Sequence, residues 1–256
     1  MTPQPITLAS YNMRKALGTD RRRNPRRVLD VLHEIDADVV ALQEADRRFG
    51  GRASAVPHEL LDAHSGYKPV PLGVRNRRML DRLPKTGARV DQLLKVNTRN
   101  IGWHGNALLV KPHVQVMEVA ALELPTLEPR GAVMAELLVD DRPLRVVGLH
   151  LDLSGLWRRR QLRAIVEQIE SRPQAMPTVM MGDTNEWRTA GGCLQELDGR
   201  FRLAPTGPSF HSRRPIAALD RIIVDKACRI EAAGVHHSEA ARMASDHLPV
   251  WARLTI

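Results

Sequence analysis

The chain has 256 residues and a net charge of +9, from 38 Lys and Arg against 29 Asp and Glu. With 43% hydrophobic and 26% charged residues it is globular rather than disordered, and no apolar run nears the ~18 residues of a membrane-spanning helix. Two cysteines, Cys193 and Cys228, exclude a disulfide framework and a cysteine-rich zinc site, and 4% aromatics argue against a surface of many base-stacking rings. The first residues lack a basic start followed by an apolar stretch, so a cytoplasmic protein is expected.

Short strand-like and helix-like segments alternate without repeats or low-complexity linkers, as in α/β architectures. Residues 6–12 are predicted as a strand. Asn24 and Pro25 open a helix as N-cap and first helical residue, with Val28, Val31, Leu32 and Ile35 at helical spacing. Residues 38–44 read as a buried strand and 57–63 as a helix. Residues 72–105 are rich in Arg, Gly and Asn and weakly periodic, which suggests a functional or mobile loop. Strands are predicted at 106–110, 114–124 and 131–139, and a turn at 140–143 leads into a strand over 144–151. Leu162, Ile165, Val166 and Ile169 mark an amphipathic helix. A short strand over 178–181 runs into Gly182-Asp183-Thr184-Asn185, and strands at 219–224 and 250–256 complete the chain. Strands outnumber helices and the turn at 140–143 implies antiparallel pairing. Mixed sheets in one domain over residues 1–256 are therefore expected.

Polar residues sit at the ends of these strands. Asn12 ends the first, Glu44 the second and His150 the strand from 144. Asp183 and Asn185 follow the strand from 178, Asp220 begins another, and Asp246-His247 precede the last. Singly, each has an ordinary reading as a turn residue, a surface charge or a core histidine. Jointly, groups at the ends of successive strands can converge on one edge of the sheets. Glu44, Asp183, Asp220 and Asp246 would repel one another there unless a cation were present. Oxygen and imidazole donors without thiolates suit Mg²⁺, or Mn²⁺, rather than structural zinc.

The set Ser10-Tyr11-Asn12, Leu42-Gln43-Glu44, Gly148-Leu149-His150-Leu151, Gly182-Asp183-Thr184-Asn185, Leu219-Asp220-Arg221-Ile222 and Ser245-Asp246-His247-Leu248-Pro249 resembles the endonuclease/exonuclease/phosphatase superfamily. The resemblance runs in the family's order from Ser10 to Pro249. It implies a deoxyribonuclease I-like α/β/β/α sandwich (α+β type) of two mixed β-sheets, and divalent-metal-dependent phosphoester hydrolysis by in-line water attack. It also implies Glu44 as principal metal ligand, with Asn12 beside it and Asp246 adding a ligand directly or through water. Asp220 would orient His247, Asp183 and Asn185 would position water and phosphate, and His150 would contact the phosphate. Asn106 resembles a phosphate-side asparagine. Either a neutral His247 held by Asp220 or Asp183 serves as base.

Departures from the family narrow the choice. Arg14 stands where the abasic-site branch has an acidic residue, and His150 where that branch carries tyrosine. Both point away from abasic-site repair, and the His150-Leu151 pattern resembles the deoxyribonuclease and sphingomyelinase side. Thr184 replaces the usual apolar or aromatic residue.

The positive charge is concentrated. Residues 1–30 carry +5, residues 75–100 carry +6 and residues 156–163 carry +4. Each segment adjoins a strand end bearing a candidate residue, so a basic rim is expected, with Arg14 and Arg158 contacting substrate. Trp103 and Trp157 lie near two of these segments. The expected function is a nuclease or other phosphodiesterase on DNA or RNA. Alternatives are a phospholipid or small-phosphoester hydrolase at an anionic membrane surface, and a nucleic-acid-binding module without catalysis. The pair His236-His237 is assigned no role, because adjacent strand residues point to opposite faces, and none is assigned to His33 on a predicted helix or His104 in a loop.

Overall fold

The computed structural model describes residues 4–46, 54–64, 66–71, 105–125, 131–197 and 199–256. The segment predicted as a long loop, apart from Gly105, lies outside them, as do Trp103 and His104.

Among the described residues, twelve strands form two sheets of six. They are β1 (Ile6–Asn12), β2 (Val39–Gln43), β3 (Lys68–Pro69), β4 (Ala107–Val110), β5 (Gln115–Leu122), β6 (Ala132–Val139), β7 (Arg142–His150), β8 (Thr178–Asp183), β9 (Phe201–Leu203), β10 (Asp220–Asp225), β11 (Arg229–Val235) and β12 (Val250–Thr255). The first sheet has the order β11-β12-β1-β2-β4-β3 and the second β5-β6-β7-β8-β10-β9. Each holds one parallel pair, β1 with β2 and β7 with β8, among antiparallel neighbours. The helices are α1 (Pro25–Ile35), α2 (His58–His64), α3 (Gly155–Glu170) and α4 (Glu239–Ala244), with 3-10 turns at Arg14–Ala16 and Gly192–Leu197.

The layers follow from strand parity, because successive side chains alternate faces. Ile6 and Leu8 of β1 meet Leu144 and Val146 of β7, Val179 and Met181 of β8, and Ile222 and Val224 of β10 in the core between the sheets. Ala9 and Tyr11 point the other way, to Val28, Val31 and Leu32 of α1, Leu61 of α2 and Ala241 of α4. Val147, Leu149, Met180 and Ile223 pack on Leu162, Ile165 and Ile169 of α3. The central strands are buried on both faces, so they read as continuous apolar runs. The result is the expected four-layer sandwich. Among the described residues, no helix is long and apolar enough to cross a membrane.

Local chemistry sets several boundaries. The Asn24 side chain accepts from the Arg26 N–H at 3.1 Å, and Pro25 opens α1. Asp140 and Asp141 both have positive φ (48° and 62°), and Val139 pairs with Arg142. A two-residue turn of this shape matches the twist of the strands it joins. β7 therefore starts at Arg142, ahead of the predicted residue 144, and includes Pro143. β8 likewise runs two residues past its predicted end, to Asp183, because that residue pairs with both His150 and Asp220.

Candidate active site

The same parity that builds the inner core places the candidate residues. In β7 the inward set Leu144, Val146 continues through Gly148 to His150. In β8 the set Val179, Met181 ends at Asp183, and in β10 the set Val224, Ile222 leads back to Asp220. In β1 the set Ile6, Leu8 continues through Ser10 to Asn12. The inward stripes are apolar along their length and polar at one end. Register aligns those ends: His150 pairs with Asp183 and Asp183 with Asp220, while in the facing sheet Asn12 pairs with Gln43. Two glycines permit the close approach. A Cβ on Gly148 would come 3.0 Å from Leu108 Cδ2 in the opposite sheet, and one on Gly182 would lie 1.8 Å from the Leu149 carbonyl oxygen.

Asp183 is the meeting point. Its Oδ2 accepts from Asn12 Nδ2 at 2.9 Å, a bond between the sheets, and its Oδ1 accepts from the Asn185 N–H at 2.9 Å. His150 Nε2 and His247 Nε2 stand 3.5 and 3.8 Å from the same Oδ2. His247 Nδ1 lies 2.8 Å from Asp220 Oδ2, which also accepts from Ser209 Oγ at 2.6 Å. Burial is the largest single influence on His247 and lowers its pKa. The carboxylates of Asp220, Asp183 and Asp246 together outweigh burial and push it up to about 10. This environment favours an imidazolium rather than the neutral imidazole of the sequence reading.

Ser209 and Ser245 are supports that sequence reasoning missed. Ser245 Oγ donates to the Asn12 carbonyl at 2.7 Å and accepts from the His247 N–H at 3.2 Å, which anchors the loop bearing His247 to β1. Ser245 belongs to a motif that points to it. Ser209, eleven residues from Asp220, carries no such signal.

Glu44 and Asp246 flank this group, and each meets a cation. Lys15 Nζ is 3.1 Å from Glu44 Oε2 and Arg14 Nε is 3.2 Å from Asp246 Oδ2. Arg14, Lys15 and Ala16 have φ of 45°, 56° and 59°, and Glu44 and Asn185 have 53° and 49°. Left-handed non-glycine residues cost ~1–2 kcal/mol each and gather where geometry is over-determined, as at active sites. The Lys15 N–H donates to the Glu44 carbonyl at 3.2 Å, which ties the turn to the end of β2.

The donor set fits a hard cation. Asp183, Asp220 and His247 offer ligand atoms within 4.8 Å of one another. Asp220 is already engaged by His247 and Ser209, and Glu44 and Asp246 fall outside that group of three, each paired with a cation. Among the described residues the buried Asn106 Oδ1 has no hydrogen-bond partner, while its Nδ2 donates to the Gly131 carbonyl at 2.7 Å.

The basic rim needs correction. Arg158 is turned to Glu186 (3.4 Å) and the Leu153 carbonyl, and Arg159 and Arg163 both pair with Glu196. Arg160 lies over the Trp157 ring, 5.1 Å from its centroid. Three of the four arginines at 156–163 thus pair with two glutamates from distant segments, which halves the local charge from +4 to +2. In residues 1–30, Arg14, Lys15 and Arg27 are also paired, Arg27 with Asp20 at 2.9 Å. The charge at 75–100 lies outside the described residues. His236 pairs with Glu34 at 2.7 Å, away from this site.

A family model described as Endonuclease/Exonuclease/phosphatase family matches residues 9–247. The uncharacterized protein YbhP of Escherichia coli (strain K12) is 28% identical over 161 residues, which span 60% of this chain and 63% of that protein's length. Two solved structures share the fold. The TDP2 of D. rerio, complexed with single strand DNA product, superposes with a TM-score of 0.70 at 16% identity, covering 98% of this chain and 99% of that one. A mannosyl-6-phosphatase of Bacteroides thetaiotaomicron superposes with a TM-score of 0.69 at 18% identity, covering 98% and 100%.

Proposed function

Because the chain belongs to the Endonuclease/Exonuclease/phosphatase family, whose members are metal-dependent phosphoester hydrolases, we propose that its site hydrolyses the phosphodiester backbone of nucleic acid with Mg²⁺, and with Mn²⁺ in its place. The observation that carries this reading is the meeting of Asn12, His150, Asp183, Asp220 and His247 from both sheets around one buried carboxylate. Glu44, Asn12 and Asp246 would hold the metal. When bound, the metal neutralises phosphoryl charge and stabilises the leaving oxygen.

The chain's own groups divide the remaining work. Asp183, fixed by Asn12 and the Asn185 N–H, takes the proton of the attacking water. His247 carries its own proton, kept there by Asp220, and donates a hydrogen bond to a phosphoryl oxygen from Nε2. His150 stands beside it on the same side of Asp183, and Asn106 faces the phosphate. The net charge of +9 favours a polyanion, and the similarity to a structure holding single strand DNA supports the same substrate class. The pairing of the arginines at 158, 159 and 163 with Glu186 and Glu196 favours a second reading, a small phosphomonoester, in line with the phosphatase neighbour.

The test is turnover of DNA, RNA, mannose 6-phosphate and phospholipid vesicles side by side at low salt, with Mg²⁺, Mn²⁺ or EDTA. Cleavage of nucleic acid with Mg²⁺ is expected, with none in EDTA and a steep fall with added salt. Asp183→Asn and His247→Ala should each lower kcat by ~10²–10⁴. Turnover of mannose 6-phosphate or lipid alone would replace the nuclease reading, and inertness toward all four would overturn it.

A further inference from the structure

Only 4% of this chain is aromatic, yet Trp187 is 59% exposed, two residues beyond Asn185. An indole in water forgoes a large apolar burial, so its position invites a reason. The turn that carries it is held from both sides. Glu186 is 3% exposed, its carboxylate accepts from the Arg188 N–H at 3.1 Å, and Arg221 Nη2 donates to the carbonyls of Glu186 (3.1 Å) and Arg188 (2.8 Å). Trp187 is therefore presented on a pinned backbone.

Its ring leads to the site. The Trp187 and Phe210 rings meet edge to face, with centroids 6.2 Å apart at 83°. Phe210 in turn lies 4.8 Å from the His247 ring. Backbone bonds fix Phe210: it exchanges hydrogen bonds with Ala217 at 3.0 Å and bridges to His247. A line of three rings thus runs from the buried imidazole to the surface. Exposed arginines are close in the chain: Arg188 follows the indole, and Arg213 and Arg214 sit in the loop closed by Phe210 and Ala217, where Arg213 Nη2 donates to the Thr19 carbonyl at 3.2 Å. Among the described residues no carboxylate forms an ion pair with any of these three.

We propose that Trp187, backed by Phe210, is a stacking platform for a nucleobase adjoining the phosphate bound at Asp183 and His247, with Arg188 and Arg214 facing the neighbouring phosphates. An aromatic face bordered by unneutralised cations is the combination that holds single-stranded nucleic acid without reading its sequence. The indole accepts the base's flat face, and the arginines match the charge that follows the base along the strand. The inference rests on the nucleic-acid reading of the site and adds to it where the strand lies: outward from His247, over Phe210 and Trp187.

The test is binding in EDTA, where turnover does not interfere. A fluorescein-labelled thymidine octamer and an abasic octamer of equal charge are titrated by anisotropy against wild type, Trp187→Ala and Trp187→Phe. Wild type is expected to bind the thymidine octamer ~5- to 100-fold tighter than the abasic one. Trp187→Ala should bring that ratio near unity while leaving abasic binding unchanged, and Trp187→Phe should retain most of it. Equal binding of both probes by wild type, or an unchanged ratio in Trp187→Ala, would overturn the platform, including in favour of a protein partner on this face. A base preference without nucleic-acid turnover would sink the nuclease reading alone, and turnover without base preference would sink the platform alone.

Discussion

Asp220 is fully buried and gives one oxygen to both the His247 ring and the Ser209 hydroxyl. Asp220→Asn keeps the shape and removes the charge. His247 then keeps its burial but loses the counter-ion closest to it. Removing one partner of a buried pair costs ~3–5 kcal/mol. For a chain of this size each kcal/mol moves Tm by ~2–4 °C, so a drop of roughly 6–20 °C is expected. The pH dependence has a definite sign. His247 is raised from an ordinary 6.5 to about 10 on folding, so its contribution is fully present below 6.5 and is lost as pH rises through about 10. The stability gap between wild type and Asp220→Asn should be widest near pH 6 and should narrow toward pH 10. Urea denaturation in EDTA at pH 6, 8 and 10, followed by tryptophan fluorescence, measures it. A gap under ~1 kcal/mol at pH 6, or one that persists unchanged at pH 10, would refute the assignment of this pair.

Two further outcomes are expected. Lys15→Met removes a cation that meets Glu44 Oε2 at 3.1 Å, with both side chains about a quarter exposed. Mn²⁺ binding by calorimetry should tighten about two- to fivefold, the scale of a partly exposed ion pair, and unchanged or weaker binding would remove Lys15 as a competitor for that carboxylate. Asn24→Ala removes the side-chain cap on the Arg26 N–H and should cost about 1 kcal/mol in denaturant unfolding without altering the site.

What the sequence made legible were features set by short-range pattern. The inward stripe of β1, β7, β8 and β10 is apolar until its polar end, so Asn12, His150, Asp183 and Asp220 stand out at the right places. The Asn24-Pro25 start of α1 is equally local. Elements without such a pattern were missed. β3 and β9 are only two and three residues long, and β11 is an edge strand of mixed burial. Electrostatic partnership was not legible either. The arginines at 158, 159 and 163 look like free charge until Glu186 and Glu196 are brought beside them, and the role of Ser209 depends on a contact made only after β10 is in place. Trp187 escaped attention for the same reason: nothing local distinguishes an exposed indole from a buried one.

The bond from Asn12 to Asp183 spans the gap between the two layers, as do those from Asn106 to the Gly131 carbonyl and between His247 and Asp220. Neighbouring residues along a strand are ~3.3 Å apart, so sliding one layer over the other by one step would carry the amide out of reach of the carboxylate. The alignment of the sandwich is therefore gauged at the site itself, and volume changes deep in its apolar filling are transmitted to the chemistry at its rim.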